Sequence, residues 1–178
     1  VQLERSGADI ACTSFANSVK GFNKEVTVRD IVSTYIFPNT LIVLEVTGSV
    51  VKAALENSAS YFHIENGEIS VSDKFLKPKV SHYNYDYFAP LCYTFDLTKP
   101  VGERVVAMSL NGKEVGPNDI LTLAMNNYRY SGVGGYDMYP ACKVVKEILV
   151  EMPEIIIDYF MQHKNVTVDK NKYITILK

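Results

Sequence analysis

The chain has 178 residues, 47% of them hydrophobic and 21% charged, with a formal net charge of -2. That length and apolar content fit one globular domain with a real core. Near-neutral charge without a Lys/Arg cluster excludes binding of a nucleic-acid polymer through a basic surface, and no apolar run reaches the length of a membrane span.

The start, Val1-Gln2-Leu3-Glu4, lacks an initiator Met and runs straight into a strand-like segment, so the chain is expected to be a piece of a longer polypeptide. Ala8 to Thr13 is a short apolar run suited to a buried strand. Thr27 is placed to cap a helix running to Ser33 or Tyr35, with Arg29 and Asp30 on its wet side. That helix must stop before Pro38, because the residue preceding a proline avoids the helical region.

Leu41 to Val46 reads as a buried strand. Thr47 is a good cap for a helix over 48–62, with Val50, Val51, Ala54, Leu55 and Phe62 at helical spacing and Lys52, Glu56 and Asn57 facing out. Residues 63–90 carry polar and proline punctuation and read mostly as a long loop. Cys92 to Asp96 alternates like a strand, and Arg104 to Leu110 leads into Asn111-Gly112, the preferred two-residue hairpin turn.

Leu121 to Met125 reads as a buried strand. Val144 to Val150 and Pro153 to Gln162 read as helical, and Lys172 to Leu177 as a closing strand. Strands and helices mix without regular βαβ alternation, which predicts an α+β fold with a mixed β-sheet packed by helices. No repeat or linker interrupts the chain, so residues 1–178 form a single domain. Cys12, Cys92 and Cys142 have no CxxC or metal spacing and are expected as small apolar core fillers.

Three segments carry the chemistry. In the third, a buried strand ends in Asn126-Asn127-Tyr128-Arg129 and passes into Ser131-Gly132-Val133-Gly134-Gly135. A strand end followed by a glycine-rich loop lets the backbone approach a ligand, and an aromatic ring there offers a flat face to a base. A plain glycine-rich turn with core tyrosines fits the same spacing. It is neither a P-loop nor a dinucleotide fingerprint, since no GK[ST] follows and no clear helix with a downstream acid does. The segment Phe37-Pro38-Asn39 reads alone as a core Phe beside a turn Asn. Tyr83-Asn84-Tyr85-Asp86-Tyr87-Phe88 is an aromatic-dense loop that either lines a pocket or anchors itself to the core.

Hydrolytic machinery is not evident. His63, His82 and His163 lack metal spacing, no DxH motif appears, and no GxSxG elbow offers a nucleophile. Cys92 has no basic activator nearby in sequence.

Taken in order, Phe37-Pro38-Asn39-Thr40, Tyr83-Asn84-Tyr85-Asp86 and Asn126 to Gly135 resemble the C-terminal domain of bacterial 5′-nucleotidases and 2′,3′-cyclic-nucleotide 2′-phosphodiesterase/3′-nucleotidases. The resemblance covers nearly the whole chain and is strongest to the cyclic-phosphodiesterase branch. It implies that Phe37 and Tyr128 sandwich a nucleobase, that Asn39 contacts the base or ribose, and that Gly132, Gly134 and Gly135 shape the pocket floor. Asn127, Tyr83, Tyr85 and Ser14 join the expected substrate-binding set. The resemblance further implies a separate N-terminal metallophosphoesterase domain with two divalent metals, and an extracytoplasmic location. No catalytic residue, metal ligand or cofactor is expected in this chain.

There are departures. Where the 5′-nucleotidase branch has a Gly-Gly-Gly-Ile-Arg segment, this chain has Ser14-Phe15-Ala16-Asn17-Ser18, without the Arg. Gly134 stands where that branch has an Asp, and Val133 replaces one glycine of the usual triplet. Two rival readings stand beside this one: a nucleoside-binding module with no catalytic partner, and a self-sufficient enzyme acting through Arg129 and Asp86.

Overall fold

The computed structural model describes residues 1–178. Its central five-stranded mixed sheet is built from β1 (Ile10–Thr13), β2 (Thr40–Thr47), β5 (Tyr87–Ala89), β9 (Ile120–Asn126) and β10 (Lys143–Glu151), in the spatial order β10-β2-β9-β1-β5. A second sheet is built from β6 (Cys92–Asp96), β7 (Val105–Leu110), β8 (Lys113–Glu114) and β11 (Ile174–Leu177), in the order β11-β6-β7-β8. β3 (Phe62–Glu65) and β4 (Glu68–Val71) form a separate hairpin. The architecture is α+β with mixed sheets, as the unalternating pattern predicts.

Five helices accompany the sheets: α1 (Gln2–Ser6), α2 (Val28–Thr34), α3 (Gly48–Ala59), α4 (Asn127–Tyr130) and α5 (Met152–Gln162). Thr27 caps α2 in a full capping box with Asp30, and the Thr47 hydroxyl accepts from Val50 N–H at the start of α3. One face of the central sheet carries Ile10, Cys12, Ile42, Leu44, Leu123 and Met125 into the main core, against Val51, Ala54 and Leu55 of α3. The other face carries Leu41, Val43 and Ala124 against Met152 and Ile155 of α5. Strands buried on both faces read as unbroken apolar runs, which is why β2 and β9 are legible in the sequence.

Several expectations need correcting. The first residues, for which the sequence offers no element, form α1, ended by Gly7 at φ 74, ahead of β1. α3 ends at Ala59, and Phe62 belongs to β3. Residues 63–90 are not one loop; they hold the β3–β4 hairpin, two short 3-10 turns and β5. The hairpin turns on Asn66-Gly67, both at positive φ, the same signal that marks Asn111-Gly112.

Residues 144–150 are strand β10, paired antiparallel with β2, rather than a helix. Cys12 is buried and Cys142 partly so, but Cys92 is exposed and fills no core.

Candidate functional site

Strand directions gather the segments singled out in the sequence. β1 and β9 run parallel (Ile10 opposite Leu123), so both deliver their C-terminal ends to one edge of the sheet. β2 is antiparallel to β9, with Leu41 opposite Asn126, so the start of β2 lies at that edge too. β5 is antiparallel to β1, with Thr13 opposite Tyr87, which brings its leading loop there. Ser14, Phe37–Asn39, Tyr83–Asp86 and Asn126–Gly135 therefore leave the sheet at one end, although the first and last are over a hundred residues apart.

Hydrogen bonds knit two of these segments together. Asn127 Oδ1 accepts from the Thr40 N–H at 3.2 Å, and Asn126 Nδ2 donates to the Tyr35 hydroxyl at 3.2 Å. Asn126 Oδ1 also accepts from the Arg129 N–H at 2.8 Å, capping α4. The Asn39 carbonyl accepts from Met152 N–H at 2.8 Å, fastening the segment to α5. Burial pushes the Tyr35 hydroxyl above the ordinary tyrosine range, against hydrogen bonds with Asn126 and Asn39 that pull it back. Sequence reasoning misses Tyr35 and Asn126 as the joint between the segments, although both lie inside them.

Phe37 is 52% exposed and Tyr128 46% exposed, so both rings stand in solvent at this end, as does Phe15, next to Ser14, at 67%. Neither ring pairs with another aromatic ring of the chain. Asn39 is half-buried between them in sequence and Asn127 is exposed. The glycine loop is tightly held. Gly132, Gly134 and Gly135 all have positive φ, and the Gly134 carbonyl accepts from Asn57 Nδ2 at 3.0 Å. Asn57, expected to face outward from α3, is thus a support of this loop; no sequence signal marks it.

Beneath the loop lies a buried ion pair. Arg129 Nε and Asp86 Oδ2 are 2.8 Å apart, with side chains 4% and 1% exposed. The angle is bent, so the contact is an ion pair rather than a well-aligned hydrogen bond. Arg129 also donates to the Tyr83 carbonyl at 2.7 Å and to the Val133 carbonyl, and its guanidinium lies 4.3 Å from the Tyr136 ring centroid. Burial pushes the Asp86 carboxyl up to about 6, although Arg129 pulls the other way. Both side chains are buried against each other, which speaks against the reading of a self-sufficient enzyme acting through Arg129 and Asp86.

The aromatic loop is anchored inward. Tyr85 packs against Tyr61 at 5.0 Å and Phe62 at 5.7 Å, and burial raises its hydroxyl to about 12. Phe88 is wholly buried, and His82 Nδ1 shares a 2.7 Å hydrogen bond with Tyr61. Tyr83 is half-buried and contributes its carbonyl to Arg129; Ser14 is half-buried where the chain leaves β1.

A cavity of about 1240 Å³ adjoins this end of the sheet on the α5 side, lined by Thr13, Tyr35, Tyr87, Met152 and Phe160 among others. None of the expected binding residues lines it. No three His, Cys, Asp or Glu side chains of this chain gather in a way that could hold a metal ion. No helix is long and apolar enough to cross a membrane.

Fold and site together define an α+β domain that offers solvent-facing aromatic rings, Phe37 and Tyr128 among them, at one end of a mixed sheet. The family model described as 5′-nucleotidase, C-terminal domain, matches residues 1–141, and the chain belongs to that family. It is 28% identical over 154 residues to the trifunctional nucleotide phosphoesterase YfkN of Bacillus subtilis, covering 80% of this chain and 10% of that protein. It is 30% identical over 136 residues to the 2′,3′-cyclic-nucleotide 2′-phosphodiesterase/3′-nucleotidase of Salmonella typhimurium, covering 67% and 20%. Among solved structures, a putative 5′-nucleotidase from Staphylococcus aureus in complex with α-ketoglutarate superposes with TM-score 0.94 at 41% identity, over 99% of this chain and 35% of that one. The 5′-nucleotidase precursor of Thermus thermophilus shares the fold, with TM-score 0.76 at 21% identity, over 98% of this chain and 32% of that one. The chain therefore spans about a tenth to a third of these relatives.

Proposed function

We propose that this chain is the substrate-recognition domain of a nucleotide phosphoesterase. It stacks a nucleobase between Phe37 and Tyr128 and directs the phosphate toward a separate N-terminal metallophosphoesterase domain of the same polypeptide. The observation that carries the reading is the pair of solvent-facing rings at the facing ends of β2 and β9, tied by Asn127 and Thr40. A base has two π-faces, and one aromatic ring on each is a sequence-tolerant grip.

In this reading Asn39 meets the base edge or ribose, and Gly132, Gly134 and Gly135 bring backbone close to the ligand. Asn127 sets the spacing of the two ring-bearing segments. Tyr83 and Ser14 border the site. Tyr85 holds the loop from inside rather than stacking on the base. The two divalent metals belong to the other domain, and this chain supplies binding and orientation. The parent protein acts outside the cytoplasm, a reading that rests on the family resemblance.

Titration with a panel of nucleosides and of cyclic, 3′- and 5′-monophosphates tests this. Saturable binding that weakens in Phe37→Ala supports it. Binding to none of the panel removes the base-stacking role.

A further inference from the structure

We propose that Arg129 and Asp86 are positioning residues for the Tyr128 ring: the buried guanidinium fastens the turn carrying that ring to the loop before β5 and to the glycine-rich loop behind it. The inference rests on the base-stacking reading above. Arg129 follows Tyr128 directly in the chain. One residue is buried with its counter-ion while its neighbour stands 46% exposed.

The contacts of Arg129 lead to two other pieces of backbone, the loop before β5 and the glycine-rich loop. Tyr83 belongs to the loop before β5, Val133 to the glycine loop, and Asp86 is the residue just before β5. Tyr136 lies under the guanidinium and is itself held, its hydroxyl accepting from the Asp86 N–H at 3.1 Å and sharing a 2.9 Å bond with Ser58 Oγ. The Tyr136 ring is further stacked on Tyr139 with an interplanar angle of 2°.

The turn needs such fastening. α4 has four residues, and a single helical turn does not hold its own geometry in water. Asn126 caps its start, but its C-terminal side runs straight into residues of positive φ. Beside the Asn127–Thr40 bond and the Ser131 hydroxyl on the Tyr128 carbonyl, both at the surface, the guanidinium is the tie that fastens the turn from its buried side. A buried ion pair adds little net stability over apolar packing, so what sets this one apart is the three segments it joins. Lysine cannot replace it, since one ammonium lacks the planar fork that serves several acceptors at once. The loop is fitted around it: a Cβ at Gly134 would lie 2.8 Å from Arg129 Nη1.

Adenosine affinity of the chain, measured by calorimetry at a temperature where circular dichroism shows each variant folded, tests the proposal. A purely structural pair would lower the melting temperature and leave the affinity of the folded protein untouched. No adenosine binding by the wild-type chain, or undiminished binding by Tyr128→Ala, defeats the base-stacking reading and this proposal with it. Given binding that depends on Tyr128, Arg129→Lys is expected to weaken it about tenfold or more, and Asp86→Asn about threefold or more. Wild-type affinity in folded Arg129→Lys overturns the positioning role and leaves the stacking reading intact. If Arg129→Lys does not fold, Asp86→Asn decides. It keeps the side-chain volume and both carbonyl contacts of Arg129, and unchanged affinity in it overturns the proposal.

Discussion

The side-chain oxygen of Asn127 accepts the backbone N–H of Thr40, tying the residue before one exposed ring to the third residue after the other. The bond lies at the surface, so its loss costs about 0.5–1.5 kcal/mol of stability at most. Asn127→Ala is expected to keep the fold and to weaken adenosine binding by about threefold, because the spacing between the ring-bearing segments loosens. Calorimetric titration beside a thermal melt separates the two effects.

Tyr128→Ala separates binding from folding more sharply. Stacking on one ring contributes about 1–3 kcal/mol per base, which corresponds to about a 5- to 150-fold loss of affinity. The ring is half exposed, so unfolding free energy is expected to move by less than about 0.5 kcal/mol. A urea titration with an unchanged midpoint, alongside the lost affinity, is the expected pair of results.

Gly134→Ala has the opposite profile. Gly134 sits at φ +80, and an added Cβ would lie 2.4 Å from Asn84 Oδ1 and 2.8 Å from Arg129 Nη1. Forced left-handed backbone costs about 1–3 kcal/mol before any clash is counted. The urea midpoint should therefore fall clearly, and a wild-type midpoint would mean that the loop relaxes freely.

The Asp86 carboxyl makes a pH prediction. Burial raises it from 3.8 to about 6 despite Arg129, so the folded state binds this proton more tightly than the unfolded state. Stability from this group is full below pH 3.8 and is lost as pH rises through about 6. The difference in unfolding free energy between wild type and Asp86→Asn should therefore change across that window and be flat above it. Denaturant titrations from pH 4 to 8 check the slope and its sign.

Catalysis is expected to need more than this chain. Purified protein with Mn²⁺ or Zn²⁺ should release no phosphate from 3′- or 5′-AMP and should not open 2′,3′-cyclic AMP. Robust turnover by the isolated chain would remove the assignment of hydrolysis to a separate domain. An upstream segment of the parent polypeptide carrying DxH and GNH(D/E) motifs is the matching expectation; without it, the chain is a binding module.

Local signals in the sequence carry a good part of the fold. Thr27 and Thr47 cap helices because a hydroxyl followed by a good helical stretch satisfies free N–H groups wherever it occurs. Asn111-Gly112 turns a hairpin because both residues tolerate positive φ, and Asn66-Gly67 carries the same signal within a stretch whose polar composition reads as loop. β10 reads as a helix because Val144, Val145, Ile148 and Leu149 satisfy helical spacing, while Val144, Ile148 and Val150 satisfy strand spacing. Its pairing with β2, about a hundred residues earlier, decides the matter.

The sequence by itself determined the α+β class, the ordered motifs that mark the family, and the identity of the two rings. Tertiary structure alone decided that Phe37 and Tyr128 share one end of the sheet, since that depends on β2 running against β9 and β1 running with it. It also decided the fates of Arg129 and Asp86, which local sequence presents as polar residues of two loops. Forty-odd residues apart, they close into a dry ion pair. Burial and pairing are properties of the packed chain, and no local pattern of side chains encodes them.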